Sequence, residues 1–273
     1  MKKTIVFLFF ILPSLVLTQQ HPLVVESAEL LEPGLAQADL GIAHFRNQPF
    51  PLSGLTGNLS KFGNIRFAVS LSEYVEVKID GTLLNVLSVT KRDPAFNSIR
   101  TTRSNTTGDI GDFTIWTKFG VLNEYRTGIG FSVDFGVQLP NASNESGLGV
   151  DEMNFYSSLL FQKHYGGRWT GNMGLGILSD PTVLGQQHDV FIYGLEYMLP
   201  VGSTTTAILQ TSGRKGHSGT GVQRLANATA AIEESVGDVS VQLSGIINFS
   251  PADNAKGISL SISYLFHVVD IRK

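Results

Sequence analysis

"TGIGFSVDFGVQLP", Thr127 to Pro140, alternates without a miss: Ile129, Phe131, Val133, Phe135, Val137 and Leu139 against Gly130, Ser132, Asp134, Gly136 and Gln138. Successive side chains of a β-strand point to opposite faces, so this is a strand with one large apolar face and one small, polar face. A half-buried strand of a soluble sheet has this form. So has a strand that meets lipid on one side and a wet lumen on the other. The rest of the chain decides between them.

Outward from this stretch the same pattern recurs as strand, short turn, strand, long polar loop. An early strand lies around Ala36 to Phe45. Ile65–Leu71 turns at Ser72–Tyr74 into Val75–Leu87, and the polar segment Lys91–Gly111 follows. Phe113–Val121 turns near Asn123–Glu124 into the opening strand, before the loop Asn141–Asp151. "NFYSSLLFQK" turns at Tyr165–Gly167 into "RWTGNMGLGIL", before the loop Ser179–His188. "VFIYGLEYML" turns at Pro200–Gly202 into "TTTAILQTS", before the glycine-rich stretch Gly213–Gly221. "QRLANATAAIEE" turns at Ser235–Gly237 into "VSVQLSGIINF", and Ser250–Lys256 leads to "GISLSISYLF". Of these, the segment 222–233 also has helix-forming propensity in "ANATAAIEE".

Short turns at one end and long loops at the other are the pattern of an outer-membrane barrel, whose turns face the periplasm. Strands of about 9–11 residues suffice to cross the hydrocarbon when tilted. The sequence therefore predicts an all-β fold, a transmembrane antiparallel up-and-down β-barrel of about 12 strands. The small face carries Arg66, Glu76, Lys78, Asp80, Lys118, Asp134 and Glu196 among glycines, serines and threonines. A dry core would pay several kcal/mol for each lone ion. A watery lumen accepts them, so these seven are the predicted lumen-lining residues.

The amino terminus agrees. Met1-Lys2-Lys3 precedes the apolar run Thr4–Leu17, which has the length of a signal-peptide core and is short for a membrane helix. Residues 1–18 read as a signal peptide, with cleavage between 18 and 28 and a mature start between Gln19 and Glu29. Residues 29–273 form the barrel. The chain is thereby exported through the periplasm to the cell outer membrane.

Composition narrows the rest. None of the 273 residues is cysteine, which excludes a disulfide-stapled domain and a lipid-modified cysteine. A net charge of -3 and a pI near 6.1 give no footing for nucleic acid. Tyr74, Tyr125, Tyr165, Trp169 and Tyr197 fall near the short-turn ends, where aromatic girdles sit. Phe266, ending the alternation from Ile258, resembles the sorting signal of outer-membrane barrels, although "HVVDIRK" follows it. The predicted partners are outer-membrane lipid, a small solute and the barrel assembly machinery.

Four segments carry a family resemblance: "TGDIGDFTIWTKFGVL", "GFSVDFGVQLPNAS", "GLGVDEMNFYSSLLFQKHYGG" and "VFIYGLEYMLPVG". Gly108-Asp109 and Gly111-Asp112 open a strand, Leu139-Pro140 ends one, Gly147–Asp151 precedes the next, and Glu196-Tyr197 forms a pair. Over Gly108–Gly202 the chain resembles bacterial transporter barrels associated with phenol and aromatic meta-cleavage pathways. The resemblance implies a barrel that takes up small hydrophobic solutes, and no catalytic residues.

Other chemistry finds less footing. His188-Asp189 and His217, near Ser212 and Ser218, are the places for a rim-site hydrolase, but adjacent residues of a strand face opposite ways. The six histidines lack ligand spacing. Asp109, Asp112, Asp151 and Glu152 at loop roots suit a hard cation or, more simply, capped turns. Gly128-x-Gly130 and Gly174-x-Gly176 lack the strand-to-helix context of a nucleotide fingerprint. The six Asn-x-Ser/Thr triplets, at Asn58, Asn105, Asn141, Asn144, Asn227 and Asn248, are expected of so polar a chain. No cofactor, metal or catalytic activity is expected. The expected function is passage of a small solute. The alternative is a structural or adhesive barrel with partner-binding loops and a lumen plugged by its own side chains or by Glu26–Pro33.

Overall fold

The computed structural model describes residues 25–96, 104–180, 183, 185–216, 224–251 and 253–268. Among the described residues thirteen strands follow one another: β1 (Leu35–Phe50), β2 (Leu55–Ser72), β3 (Val75–Arg92), β4 (Thr106–Asp109), β5 (Phe113–Leu122), β6 (Gly130–Leu139), β7 (Asn154–His164), β8 (Arg168–Ser179), β9 (Gln187–Pro200), β10 (Thr205–Gly216), β11 (Leu225–Val236), β12 (Val239–Asn248) and β13 (Lys256–His267). Twelve of them, all but β4, pair with their chain neighbours in antiparallel register. β1 pairs with β13 from Leu35↔His267 to Arg46↔Lys256, which closes the sheet into a barrel. Closure leaves no open edge in the twelve-stranded wall, the condition for spanning lipid with strands.

The opening stretch behaves as its alternation demands. In β6, Gly130, Ser132, Asp134, Gly136 and Gln138 are buried, while Phe131, Val133, Phe135, Val137 and Leu139 are exposed or half-buried. The large apolar residues point out all around the wall, from Leu40 and Ile42 on β1 to Ile258, Leu260 and Ile262 on β13. A soluble monomer exposes apolar patches of only about a few hundred Å². A continuous apolar belt over a polar interior is the inverse of a soluble sheet. The chain has the fold of an outer-membrane barrel.

The ends also sort as expected. Residues 73–74, 123–129, 165–167, 201–204 and 237–238 make the short-turn end, beside the start of β1 and the end of β13. The ends of β3, β6, β8, β10 and β12 make the other, with one exception. The β1–β2 link is only residues 51–54, because both strands run on beyond the barrel's average length. β3 likewise continues to Arg92, and β4, cut from the predicted polar loop, pairs with its outer half at Asn85–Ser88. Asn123 caps a single helical turn, Glu124–Thr127, which Gly128 ends at φ 80°, so β6 starts three residues after the Thr127 expected from alternation. Segment 222–233 is strand from Leu225 onward, since pairing on both sides with β10 and β12 overrides its helical propensity.

Gly63 breaks the period. At φ 66° it stands in a bulge between Asn64, opposite Gly41, and Phe62, opposite Ile42. The inward series 70, 68, 66, 64 of β2 therefore continues as 61, 59, 57, 55. The bulge separates two lumen zones. Beyond it Phe45, Phe50, Leu55, Leu59 and Leu87 form a buried apolar cluster, joined by Leu148 from the β6–β7 loop. Before it the wall is charged.

Candidate functional site: the charged lumen and its amino-terminal segment

Strand register sets the charges in rows. Glu76 on β3 faces Lys118 on β5, which faces Asp134 on β6. One row outward, Lys78 faces Trp116, which faces Gly136, and in the row beyond that Arg66 on β2 faces Asp80. Direct opposition on one face is what lets such pairs interact. Lys118 Nζ lies 2.9 Å from Glu76 Oε1, and Lys78 Nζ lies 3.6 Å from Asp134 Oδ2. Asp80 accepts a 2.9 Å hydrogen bond from Trp116 Nε1. Glu76, Lys78, Lys118 and Asp134 are each at most 5 % exposed.

A segment that is not part of the wall completes the site. Residues 25–33 lead into β1, those from Val25 to Leu31 contact inward-facing wall residues, and Glu26 places its carboxylate among three cations from three strands. Its oxygens lie 2.8 Å from Lys78 Nζ and 3.0 Å from Lys118 Nζ, and it pairs with the Arg66 guanidinium. Burial alone would raise the Glu26 pKa, but Arg66, Lys118 and Lys78 outweigh it and hold the carboxyl well below the ordinary value.

The rest of the segment is tied by hydrogen bonds. Ser27 Oγ donates to Gln162 Oε1 at 2.6 Å, Leu31 N donates to Glu76 Oε2 at 2.9 Å, and Lys118 Nζ donates to Glu29 O at 3.2 Å. Ser132 Oγ donates to Ala28 O, and the Asn172 amide, turned to satisfy both groups, meets Glu26 N at 2.7 Å and Glu26 O at 2.9 Å. Val25 lies against Gly194, where a Cβ would sit 2.7 Å from its Cγ2. Small inward residues make room for the segment.

Of the seven predicted residues, Arg66, Glu76, Lys78, Lys118 and Asp134 converge on or beside Glu26, and Asp80 flanks them through Trp116. Glu196 stands apart on β9, 3.6 Å from Arg168. A cavity of about 610 Å³ opens nearby at the short-turn end, lined by His164–Arg168, Met198–Pro200 and Thr206. Sequence reasoning named Glu26 only as the start of a possible plug and missed its ion pairs. It also missed Arg168 and Asp39, which lies 4.0 Å from Arg66.

The remaining candidates resolve simply. His188 is buried and bonds Asp180 at 2.7 Å, while Asp189 points outward, as alternation requires. His217 and Ser218 lie outside the described residues, as does the predicted signal peptide, residues 1–18. Asp109, Asp112 and Asp151 accept hydrogen bonds from the backbone amides of Ser143, Ala142 and Asn144, the capped-turn alternative. Of the aromatics expected near the short-turn end, Trp169 and Tyr197 pack with ring centroids 4.4 Å apart, and Tyr125 and Tyr165 stand exposed at the turns.

No family model matches the chain, and no curated protein sequence is similar to it. Solved structures are. An outer membrane channel from Pseudomonas putida F1 superposes with a TM-score of 0.63 at 14% identity, over 88% of this chain and 98% of that one. The NanC porin superposes with a TM-score of 0.51 at 6% identity, over 85% and 100%. At such identities the likeness is one of fold, and the fold shared is that of an outer-membrane β-barrel.

Proposed function

We propose that this chain is an outer-membrane channel for small solutes, whose passage is controlled by the segment 25–33. The observation that carries the proposal is a charged lumen wall holding a non-wall segment by side-chain ion pairs and hydrogen bonds rather than by strand pairing. A pore must bind its solute firmly enough to admit it and loosely enough to release it. Mixed charge on one wall and an apolar cluster toward the long-loop end suit small amphipathic solutes. The Trp116–Tyr156 pair, stacked at 5.7 Å on the inward face, and the resemblance over Gly108–Gly202 support solutes with an aromatic body.

The rival is a plugged barrel that works through its loops. Leu148 favours it, since it carries the β6–β7 loop into the apolar cluster, with Ser53 Oγ donating to Gly147 O at 2.8 Å. Ion selectivity separates the two. The reversal potential of the refolded barrel under a salt gradient is measured for the parent, Lys118→Ala and Asp134→Asn. A channel shifts toward cations with the first and toward anions with the second. Identical potentials, or no current in any of the three, contradict the proposal.

A further inference from the structure

Arg66 and Lys78 depend on Glu26 for close contact. The nearest wall carboxylates to them are Asp39 at 4.0 Å and Asp134 at 3.6 Å, and Asp80 is engaged by Trp116. Their close carboxylate contacts are to Glu26, which also holds Lys118. Glu26 sits on a segment outside the strand ladder, held to the wall through side-chain ion pairs and hydrogen bonds.

We propose that Arg66, Lys78 and Lys118 form a binding site for the carboxylate of a small monocarboxylate solute, and that Glu26 fills it as an internal stand-in which the solute displaces. The inference rests on the channel function above and narrows its solute class. Three donors from three strands converge on one two-oxygen group, the arrangement that charge-assisted carboxylate recognition requires. Trp116 lies beside it, with Lys78 Nζ 5.1 Å from the ring centroid, and offers a flat apolar surface next to the cations. Glu76 and Asp134 on the same wall temper the attraction. A bound anion therefore leaves again, as transport needs.

Trp116 also reports on the site. The chain has two tryptophans, so Trp169→Phe leaves Trp116 alone. In that background the full mature barrel is titrated with sodium acetate against sodium chloride at constant ionic strength. Glu26→Gln and, as a second variant, Glu26→Ala are compared with the parent, after heat-modifiability shows that each has folded. The expected result is a saturable acetate-specific fluorescence change whose midpoint lies at least tenfold lower in the variants. Adding Lys118→Gln should abolish it.

No saturable change in the folded variants, or the parent's midpoint, overturns the proposal. The parent gives an independent test: acetate, but not chloride, should increase maleimide labelling of a Ser27→Cys barrel, and equal labelling in both salts overturns it. Potassium chloride conductance keeps the two claims apart. Conduction without acetate binding removes the carboxylate site alone, whereas an insulating barrel in every variant removes the channel.

Discussion

Glu26→Gln tests how the segment is held. The change keeps the shape and one acceptor but removes the charge shared by Lys78 at 2.8 Å, Lys118 at 3.0 Å and Arg66. Hydrogen bonds to charged groups contribute about 1.5–3 kcal/mol each. The loss is smaller than three such bonds, because Lys118 keeps Glu76 at 2.9 Å and the glutamine oxygen still accepts. A net of about 3 kcal/mol is the result, which at about 1.4 kcal/mol per decade is an undocked population raised about 100-fold. The chain has no cysteine, so Ser27→Cys introduces a single reporter, and its loss of the Gln162 bond is common to both barrels compared. Where the segment opens and closes faster than it is labelled, the labelling rate follows the open population. Maleimide should modify the Glu26→Gln barrel about 100-fold faster. A ratio near one would refute the claim that Glu26 anchors the segment.

Three further outcomes follow from the same structure. The Glu26 carboxyl is held below its ordinary value of 4.5, so its contribution to docking is complete above that value and is lost as pH falls through the depressed one. With Arg66, Glu76, Lys78, Lys118 and Asp134 facing it in both barrels, the difference in channel current between the parent and Glu26→Gln should persist from neutral pH down to 4.5 and vanish only in stronger acid; a difference that disappears between pH 5 and 8 would contradict this. Leu175 is 61% exposed on β8, six residues or about 20 Å along the strand from the girdle residue Trp169. Leu175→Arg should therefore cost about 2–4 kcal/mol in unfolding from lipid vesicles, whereas a soluble-type surface would tolerate it. Finally, a segment anchored by Glu26 requires signal cleavage upstream of it, and intact mass of the mature chain should place the start between residues 19 and 25.

The wall was legible because alternation reports which face each residue takes. Turn chemistry then placed Tyr165–Gly167 and Pro200–Gly202 between strands before any pairing was known. Features that depend on register were not legible. Gly63 shifts the inward series of β2 by one, and a single glycine among many carries no sign of a bulge. β4 became strand only because β3 extends far enough to pair with it. The charges of Arg66, Lys78 and Lys118 could be assigned to the lumen, but their convergence on Glu26 comes from a segment without periodicity, whose place is decided by side-chain partners. His188 finds Asp180 rather than its neighbour Asp189 for the same reason: partners lie across the fold, not along the chain.

The most direct test of the channel account is the unit conductance of the refolded barrel in a planar bilayer, with and without residues 25–33. The account predicts ion flow that rises severalfold when the segment is removed, because the Glu26 site and the space beside Gly194 then open to water. A barrel that folds, inserts and stays insulating after the deletion would contradict it.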